Sequence, residues 1–370
     1  MKILSTADNH LGFRQYGLIQ RELDIEDSFR AILELGVKEK VDAITVSGDI
    51  LHSVRPTSHT IQFLKNCQEY LKYNKLLCLV SIGNHDNSKP HWIRNLSESS
   101  IDYGFKVLND ETYVVENVSQ KITVYGKTFC SREEFDTGNC LPKSVDMLLM
   151  HQSFNEITTF PNEKSFGVSD FENVTAKLVV VGDTHIHRKG LYTLDNGGEI
   201  EICSPGSSEL MSESEEVEKF VFIHTFCEGE LNTESVAIDT RKVVKFEVRT
   251  EEEAENALIV LEEVKKLKPL VFLKFDTDIK DILHRCRKQV DAGEVIIRPK
   301  PIMKNIDGSV DQESKQDLTF SDILKSLIPD KPSQFELVSQ LLNPEADVNS
   351  LIDNYVETRL KYFDTTEEQS

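Results

Sequence analysis

No run of apolar residues in the sequence approaches the roughly 20 that are needed to span a bilayer. The first residues, from Lys2 to Ala7, resemble a strand rather than a signal peptide. The seven cysteines are odd in number and include no Cys-x-x-Cys pair. This usage indicates neither a disulfide framework nor a zinc ribbon and favours buried thiols in a reducing compartment. We therefore expect a cytoplasmic protein without membrane contact.

Basic residues are scarce. The chain has 42 Lys and Arg against 63 Asp and Glu, a net charge of −21, and such a polyanion does not attract nucleic acid through its overall field. The charge is unevenly spread, because residues 241–304 carry 15 basic against 12 acidic residues while the other 306 residues carry a net −24. Acidic runs such as Glu213 to Glu218 are interpreted as solvated surface. The objection to a nucleic-acid ligand is therefore weaker locally than the total charge suggests.

The first half of the chain alternates between strand and helix patterns. Its short runs rich in Val, Ile and Leu, each followed by Gly or polar residues, predict buried strands. These runs are 2–7, 43–47, 76–82, 145–150 and 177–181. Helix patterns with one apolar face lie between the first three runs. The alternation favours an α/β sandwich, and hairpin-like strands over 112–126 and 191–238 indicate mixed sheets.

A second unit is predicted after the first 240 residues. Strand, helix, strand, helix and strand patterns follow one another from Lys245 to Arg298, which predicts a small α+β domain at 241–300 after a first domain at 1–240. Residues 301–318 are polar and contain Asp-Gly, as in a linker. A capping box and apolar residues at helical spacing predict a helical tail over 319–370. The apolar face of this tail either binds a partner or packs back on the first domain.

Polar side chains follow each of the five predicted strands. The clusters are Asp8-Asn9-His10, Gly48-Asp49, Gly83-Asn84-His85-Asp86, His151 and Gly182-Asp183-Thr184-His185-Ile186-His187. Because the carboxyl ends of strands in an α/β sheet line one crevice, we expect these residues to converge. Asp, Asn and His without Cys suit manganese, iron or zinc in an open site. Each cluster alone is a common turn or polar residue, but five in succession predict a metal centre.

At these residues the sequence resembles the calcineurin-like metallophosphoesterase superfamily, whose pattern is Asp-x-His, Gly-Asp, Gly-Asn-His-Asp/Glu, His and Gly-His-x-His. The last motif departs from this pattern, because Asp183 follows Gly182 and the first histidine comes two positions later. We expect that the two histidines of this motif, His185 and His187, are nevertheless kept as ligands.

Within that superfamily the sequence is most similar to the SbcD and Mre-type repair nucleases. The similarity lies in Asp8 to Gly12, Gly48 to Pro56 and Ser204 to Ser207. It implies a two-sheet metallophosphoesterase sandwich with helices on the outside, followed by a capping domain and C-terminal helices. Beyond Thr240 only the order of these units matches.

The resemblance also implies two divalent metal ions, for which manganese is expected. It assigns Asp8, His10, Asp49 and His187 to one ion and Asp49, Asn84, His151 and His185 to the other, with Asp49 as the bridge. Water activated by the two ions is expected to attack phosphorus. His85 is expected to stabilise the transition state or to protonate the leaving 3′ oxygen. His52 is expected to orient His85. The alternative is that His52 is a residue at a helix start without a role in the reaction.

The function implied by the resemblance is a DNA nuclease, an exonuclease or endonuclease that acts on double-strand ends and single strands in repair or recombination. The domain at 241–300 would grip DNA, and the tail at 319–370 would bind an SbcC-like coiled-coil ABC ATPase. A homodimer is expected through residues 58–73 and the segment around Trp92, although packing in the core equally explains that apolar helix face. The alternatives are a stand-alone small-molecule phosphodiesterase or phosphatase and, third, a binding scaffold with a degenerate site.

Overall fold

The computed structural model describes residues 1–87, 103–138, 141–279, 281–290 and 294–302. Contacts divide the chain into two units, Met1–Pro301 and Ile302–Ser370, and the described residues belong almost entirely to the first. The predicted tail, the predicted linker beyond Ile302 and the segment around Trp92 lie outside the described residues, so the statements made about them stay predictions.

The described residues form two large sheets and one small sheet. The strands are β1 (Lys2–Thr6), β2 (Ala43–Ser47), β3 (Leu77–Ser81), β4 (Gly104–Leu108), β5 (Glu111–Glu116), β6 (Lys121–Gly126), β7 (Met147–His151), β8 (Leu178–Gly182), β9 (Arg188–Thr193), β10 (Glu199–Ser204), β11 (Lys219–Cys227), β12 (Glu230–Ile238), β13 (Val243–Val248), β14 (Leu270–Asp276) and β15 (Ile296–Ile302). The α-helices are α1 (Ile19–Lys38), α2 (Ser58–Tyr73), α3 (Arg132–Gly138), α4 (Glu251–Val264) and α5 (Ile282–Gln289).

The two large sheets have six strands each, and both are mixed. The first has the order β12-β11-β1-β2-β3-β4, in which β1 to β4 are parallel and β11 and β12 are antiparallel additions at one edge. The second has the order β5-β6-β7-β8-β10-β9, with four parallel strands in the middle. Strands β1, β2, β3, β7 and β8 are buried almost throughout, which explains their unbroken apolar sequences.

Apolar packing makes the two sheets into a sandwich with helices on the outside. Residues of both sheets, such as Leu79, Leu149 and Phe222, share one buried cluster. Phe29 of α1 and Leu64 of α2 pack in a second cluster on the outer face of the first sheet. The predicted α/β two-sheet fold is therefore confirmed. The apolar face of α2 is used in this core, so it gives no independent support to a dimer.

Residues 243–302 form the small third sheet with two helices. The order β13-α4-β14-α5-β15 is the predicted succession of strands and helices, and the sheet order is β13-β14-β15. Helix α4 begins after Thr250, whose side chain forms a capping box with Glu253. This part has a buried cluster of its own, which includes Leu261 and Leu273. The boundary at 240 and the capping role stay predictions.

A buried ion-pair network joins α1 to the segments on either side of β11 and β12. Arg21 is fully buried and pairs with Asp24 at 2.7 Å and with Glu209 at 3.1 Å. Arg241, just before β13, donates to the same Asp24 carboxylate at 2.8 Å. Because each buried charge has an opposite partner, the desolvation cost is offset.

The cysteines within the described residues lie mostly in the core. The six cysteines within the described residues are free thiols, and all of them except Cys227 are buried. Burial raises the pKa of Cys67 to about 12, so that its thiol stays protonated. In the described part of the chain, no helix is both long enough and apolar enough to cross a membrane.

Candidate metal centre

The ends of β1, β2, β3, β7 and β8 meet at one edge of the sandwich. The cleft there has a volume of about 300 Å³. It is lined by His10, Phe13, Asp49, His52, Asn84, His85, Asp183, His185, Met211, Ser212 and Glu215. The predicted convergence of the polar strand ends is thus what the fold produces.

The backbone at these strand ends adopts conformations that few residue types tolerate. Asp8, His10, Asp49, Asp183 and His185 all have positive φ, between 48° and 92°, and such outliers cluster at functional sites. The preceding glycines are required by close approach. A Cβ atom on Gly83 would overlap the Asp49 carboxylate, and one on Gly48 would overlap the His151 ring.

One set of side chains, here called the first cluster, consists of Asp8, His10, Asp49 and His185. The Nε2 atoms of His10 and His185 lie 3.1 Å apart. Asp8 Oδ1 lies 3.8 Å from His185 Nε2, and Asp49 Oδ2 lies 3.8 Å from His10 Nε2. Nitrogen ligands with metal bonds of about 2.0–2.1 Å lie roughly 3.0–3.4 Å apart. The two imidazoles are therefore spaced as ligands of one ion are.

The second cluster consists of His151 and the three residues whose side chains surround its Nε2 atom, Asp49, Asn84 and Asp183. This nitrogen lies 3.0 Å from Asn84 Oδ1, 3.3 Å from Asp49 Oδ2 and 4.0 Å from Asp183 Oδ1. Asp49 belongs to both clusters, because its Oδ2 atom faces His10 on one side and His151 on the other. This is the arrangement that a bridging carboxylate requires.

Hydrogen bonds behind the rings of His151 and His185 fix which ring nitrogen faces the cleft. Nδ1 of His151 donates to the Ser47 carbonyl at 2.9 Å, and Nδ1 of His185 donates to Glu215 at 2.9 Å. Their Nε2 atoms therefore point into the cleft, the orientation that partners behind a metal-binding histidine normally impose. Burial opposes ionisation of Glu215, but its bonds with His185 and Lys219 lower its pKa to about 2.

The cleft is strongly negative, and within the described residues the ion pairs of Asp8, Asp49 and Asp183 are with histidines. Asp8 is fully buried, and desolvation raises its pKa. Burial would lower the pKa of His151, but the hydrogen bond with Asp49 and the charge of Asp8 raise it to about 10. The site thus favours a positive charge at this point. His10 is neutral, because burial lowers its pKa to about 3, and neutral imidazoles and carboxylates fit divalent cations.

His85 and His52 lie at the mouth of the cleft. Nδ1 of His85 donates to the His52 carbonyl at 2.6 Å, which leaves Nε2 facing the cleft, 3.9 Å from Asp49 Oδ2. The His52 ring stacks between Phe13 and His85, with centroid distances of 4.1 and 5.3 Å. His52 therefore positions His85 through its backbone carbonyl and its ring.

His187 does not lie in the cleft. Its Nδ1 is 3.1 Å from the Pro205 carbonyl, and its Nε2 is 2.9 Å from the Ser235 hydroxyl. Its ring is stacked on Phe220 and Phe222 at 4.7 and 4.4 Å. Both nitrogens are thus engaged elsewhere, and the prediction that His187 is a metal ligand has to be corrected.

The structure changes the predicted arrangement in two further respects. His185 lies in the first cluster rather than beside Asn84 and His151, and the residue beside those two is Asp183. The signal for this was present in the sequence, since Gly182-Asp183-Thr184-His185 has the spacing of Gly-His-x-His without any insertion. The prediction instead matched the two histidines of the motif to His185 and His187, which lie two residues further along the chain than Asp183 and His185.

The supporting roles of two carboxylates were not predicted from the sequence. Glu215 was interpreted as solvated surface, yet it is only 11% exposed and holds His185. Asp86 is buried and accepts hydrogen bonds from the backbone N–H groups of Ile50, Leu51 and Gly83 at 2.9–3.3 Å. It fastens the loop after β3 to the loop after β2. The acidic run at 213–218 gives no sequence signal for the role of Glu215, whereas Asp86 belongs to the motif Gly83-Asn84-His85-Asp86, from which no role was assigned to it.

Comparisons with known proteins bear on this geometry. The family model described as calcineurin-like phosphoesterase matches residues 1–187, which includes every strand end of the cleft. The chain belongs to this family. The predictions of the family and of a hydrolase that acts on phosphoester bonds are confirmed.

Three archaeal relatives carry the name DNA double-strand break repair protein Mre11. The protein of Methanococcus maripaludis is 24% identical over 96% of this chain and 99% of its own length. That of Methanocaldococcus jannaschii is 24% identical over 98% of this chain and all of its own length. That of Saccharolobus solfataricus is 30% identical over 58% of this chain and 56% of its own length. Two of these alignments thus extend well beyond the family match.

Proposed function

We propose that this protein is a manganese-dependent DNA nuclease that hydrolyses phosphodiester bonds at DNA ends and in single strands during repair or recombination. The observation that carries the proposal is the cleft in which two ligand clusters share Asp49. Alignment of almost the whole chain with repair proteins from two archaea supports DNA as the substrate. DNA as the substrate agrees with the cytoplasmic location that the sequence predicts.

The residues of the cleft would bind two metal ions for this reaction. Asp8, His10, Asp49 and His185 would hold one divalent ion, and Asp49, Asn84 and His151 would hold another. Two ions bound there supply an activated water and neutralise charge on the phosphate. Glu215 keeps His185 in the tautomer that binds through Nε2. Manganese suits this mixture of oxygen and nitrogen donors.

His85 is proposed to supply the proton that the leaving group needs. As water attacks phosphorus, the bond from phosphorus to the 3′ oxygen breaks and the oxygen needs a proton. With Nδ1 bound to the His52 carbonyl, Nε2 faces the cleft and would donate that proton to the 3′ oxygen. His52 acts through His85 as a positioning residue.

The small third sheet is proposed to help grip DNA. Its segment, residues 241–304, carries more basic than acidic residues in an otherwise acidic chain. Arg298 of β15 stacks over the ring of Tyr16, 3.8 Å from its centroid, and Tyr16 precedes α1. Phosphate contacts by such residues would be sensitive to salt.

The substrate class is tested with two substrates and one enzyme. We expect manganese-dependent cleavage of a fluorescent DNA duplex and of a single strand, with little turnover of bis(p-nitrophenyl) phosphate at equal concentration. A chelator should abolish the DNA cleavage. Efficient hydrolysis of the small diester with intact DNA would instead establish the alternative, a small-molecule phosphodiesterase.

The tail is proposed to bind an SbcC-like ATPase through an apolar helix face. Deleting everything after Lys331 should leave manganese-dependent cleavage of short single strands intact, because the compact unit ends at Pro301. Co-purification with the ATPase and stimulation by ATP should be lost. A truncated protein that still binds the ATPase would place that interface elsewhere. A homodimer is also proposed, and light scattering on the full chain tests it.

A further inference from the structure

We propose that Asp183 is a metal ligand, so that the second ion is held by three oxygen donors and one nitrogen and the centre uses three carboxylates. The inference rests on the two-metal centre of the proposed function, but not on DNA as the substrate. It concerns the last motif, in which the sequence pattern alone assigned His187 and not Asp183 as a metal ligand.

Strand pairing places Asp183 beside His151. In the parallel pair β7 and β8, His151 lies opposite Gly182, so the next residue along β8 stands at the end of the sheet next to the His151 ring. The Asp183 carboxylate reaches within 4.0 Å of His151 Nε2 and lines the cleft. No rearrangement of the backbone is needed to bring it to the second cluster.

The backbone of Asp183 is also tied to the other end of the centre. Its N–H group donates to both carboxylate oxygens of Asp8, at 3.0 and 3.2 Å. Its φ of 92° is unusual for a residue other than glycine. The side chain is therefore aimed into the cleft by a strained turn that the first cluster holds in place.

The oxygen content distinguishes the two clusters. The first cluster offers two imidazole nitrogens and two carboxylates, whereas the second offers the Asp49, Asn84 and Asp183 oxygens with His151 as its one nitrogen. Oxygen-rich sets favour harder ions such as Mn²⁺ and Mg²⁺ over Zn²⁺. Three carboxylates also leave two dications with a single net positive charge, which suits a phosphodiester with one negative charge.

The test measures metal binding without substrate. Asp183→Asn removes the charge, and Asp183→Gly removes the side chain; both residue types tolerate positive φ, so neither adds backbone strain. His187→Phe keeps the stacked ring but cannot bind metal. Asp195→Asn, in the exposed turn between β9 and β10, is the matched control. Calorimetric titration with Mn²⁺ gives the stoichiometry, and electron paramagnetic resonance reports whether two bound Mn²⁺ ions are coupled.

We expect two coupled ions in the wild type, in His187→Phe and in Asp195→Asn. Asp183→Asn should weaken the second ion by at least about tenfold, and Asp183→Gly should bind one ion without the coupled signal. Two ions of unchanged affinity in both Asp183 variants would overturn the inference, as would loss of an ion in His187→Phe. A wild type that binds fewer than two ions would overturn the two-metal centre as well. Intact DNA with the expected binding pattern would contradict only the proposed function.

Discussion

Asp49→Asn is expected to abolish cleavage and to weaken the binding of both ions. Asp49 Oδ2 lies 3.8 Å from His10 Nε2 and 3.3 Å from His151 Nε2, so this one carboxylate serves both clusters. An amide of the same shape cannot neutralise two cations. The loss of metal affinity should exceed the roughly 10–100-fold that removing a partner behind a ligand costs.

Thermal unfolding with and without Mn²⁺ separates this effect from misfolding. At a metal concentration 100 times the dissociation constant, the wild type should gain about 2.7 kcal/mol of unfolding free energy per bound ion, and Asp49→Asn should gain little. Asp27→Asn is the matched control, because this side chain is 68% exposed on α1. Unchanged two-site binding in Asp49→Asn would remove Asp49 from the bridge and with it the assignment of both clusters.

His85→Ala is expected to separate chemistry from binding. Both ions and nearly normal DNA affinity should be retained, while the cleavage rate falls by about 10² to 10⁴, the usual contribution of one positioned acid or base. The physical reason is that His85 Nε2 faces the cleft but neither nitrogen of the ring is needed to complete a cluster. Single-turnover kinetics at saturating Mn²⁺ measures the rate, and calorimetry measures the metal.

A substrate with a good leaving group sharpens this test. If His85 donates the proton, a DNA with a 3′ phosphorothiolate at the cleaved bond, whose sulfur leaves without protonation, should be cleaved by the variant at close to the wild-type rate. His59→Ala, with its side chain 53% exposed at the start of α2, should behave as the wild type. Loss of metal from His85→Ala would show instead that His85 is a ligand.

Much of the site could be predicted because parallel strands have a simple geometry. Each ligand-bearing strand is an apolar run, and its end is marked by the first polar residues, so Asp8, Asp49, Asn84 and His151 were placed at one sheet edge without knowledge of the structure. The small third sheet was predicted in the same way, from five alternating patterns in a row.

The parts that could not be predicted depend on turns and on long-range contacts. Directly after β8 the chain turns through two residues with positive φ, Asp183 and His185, and β9 already begins at Arg188. Which side chains face the cleft is decided by that turn, and alternation along a strand gives no information about it. Glu215 reaches His185 across 30 residues of sequence, a contact that only the folded sandwich creates.

A crystal structure with Mn²⁺ and a short DNA duplex, analysed by anomalous scattering at the manganese edge, tests the central claim most directly. We predict two manganese peaks on either side of Asp49, one among Asp8, His10 and His185 and the other among Asn84, His151 and Asp183, with a DNA phosphate beside both and near His85. A single peak, a peak beside His187, or DNA bound away from the cleft would contradict this account.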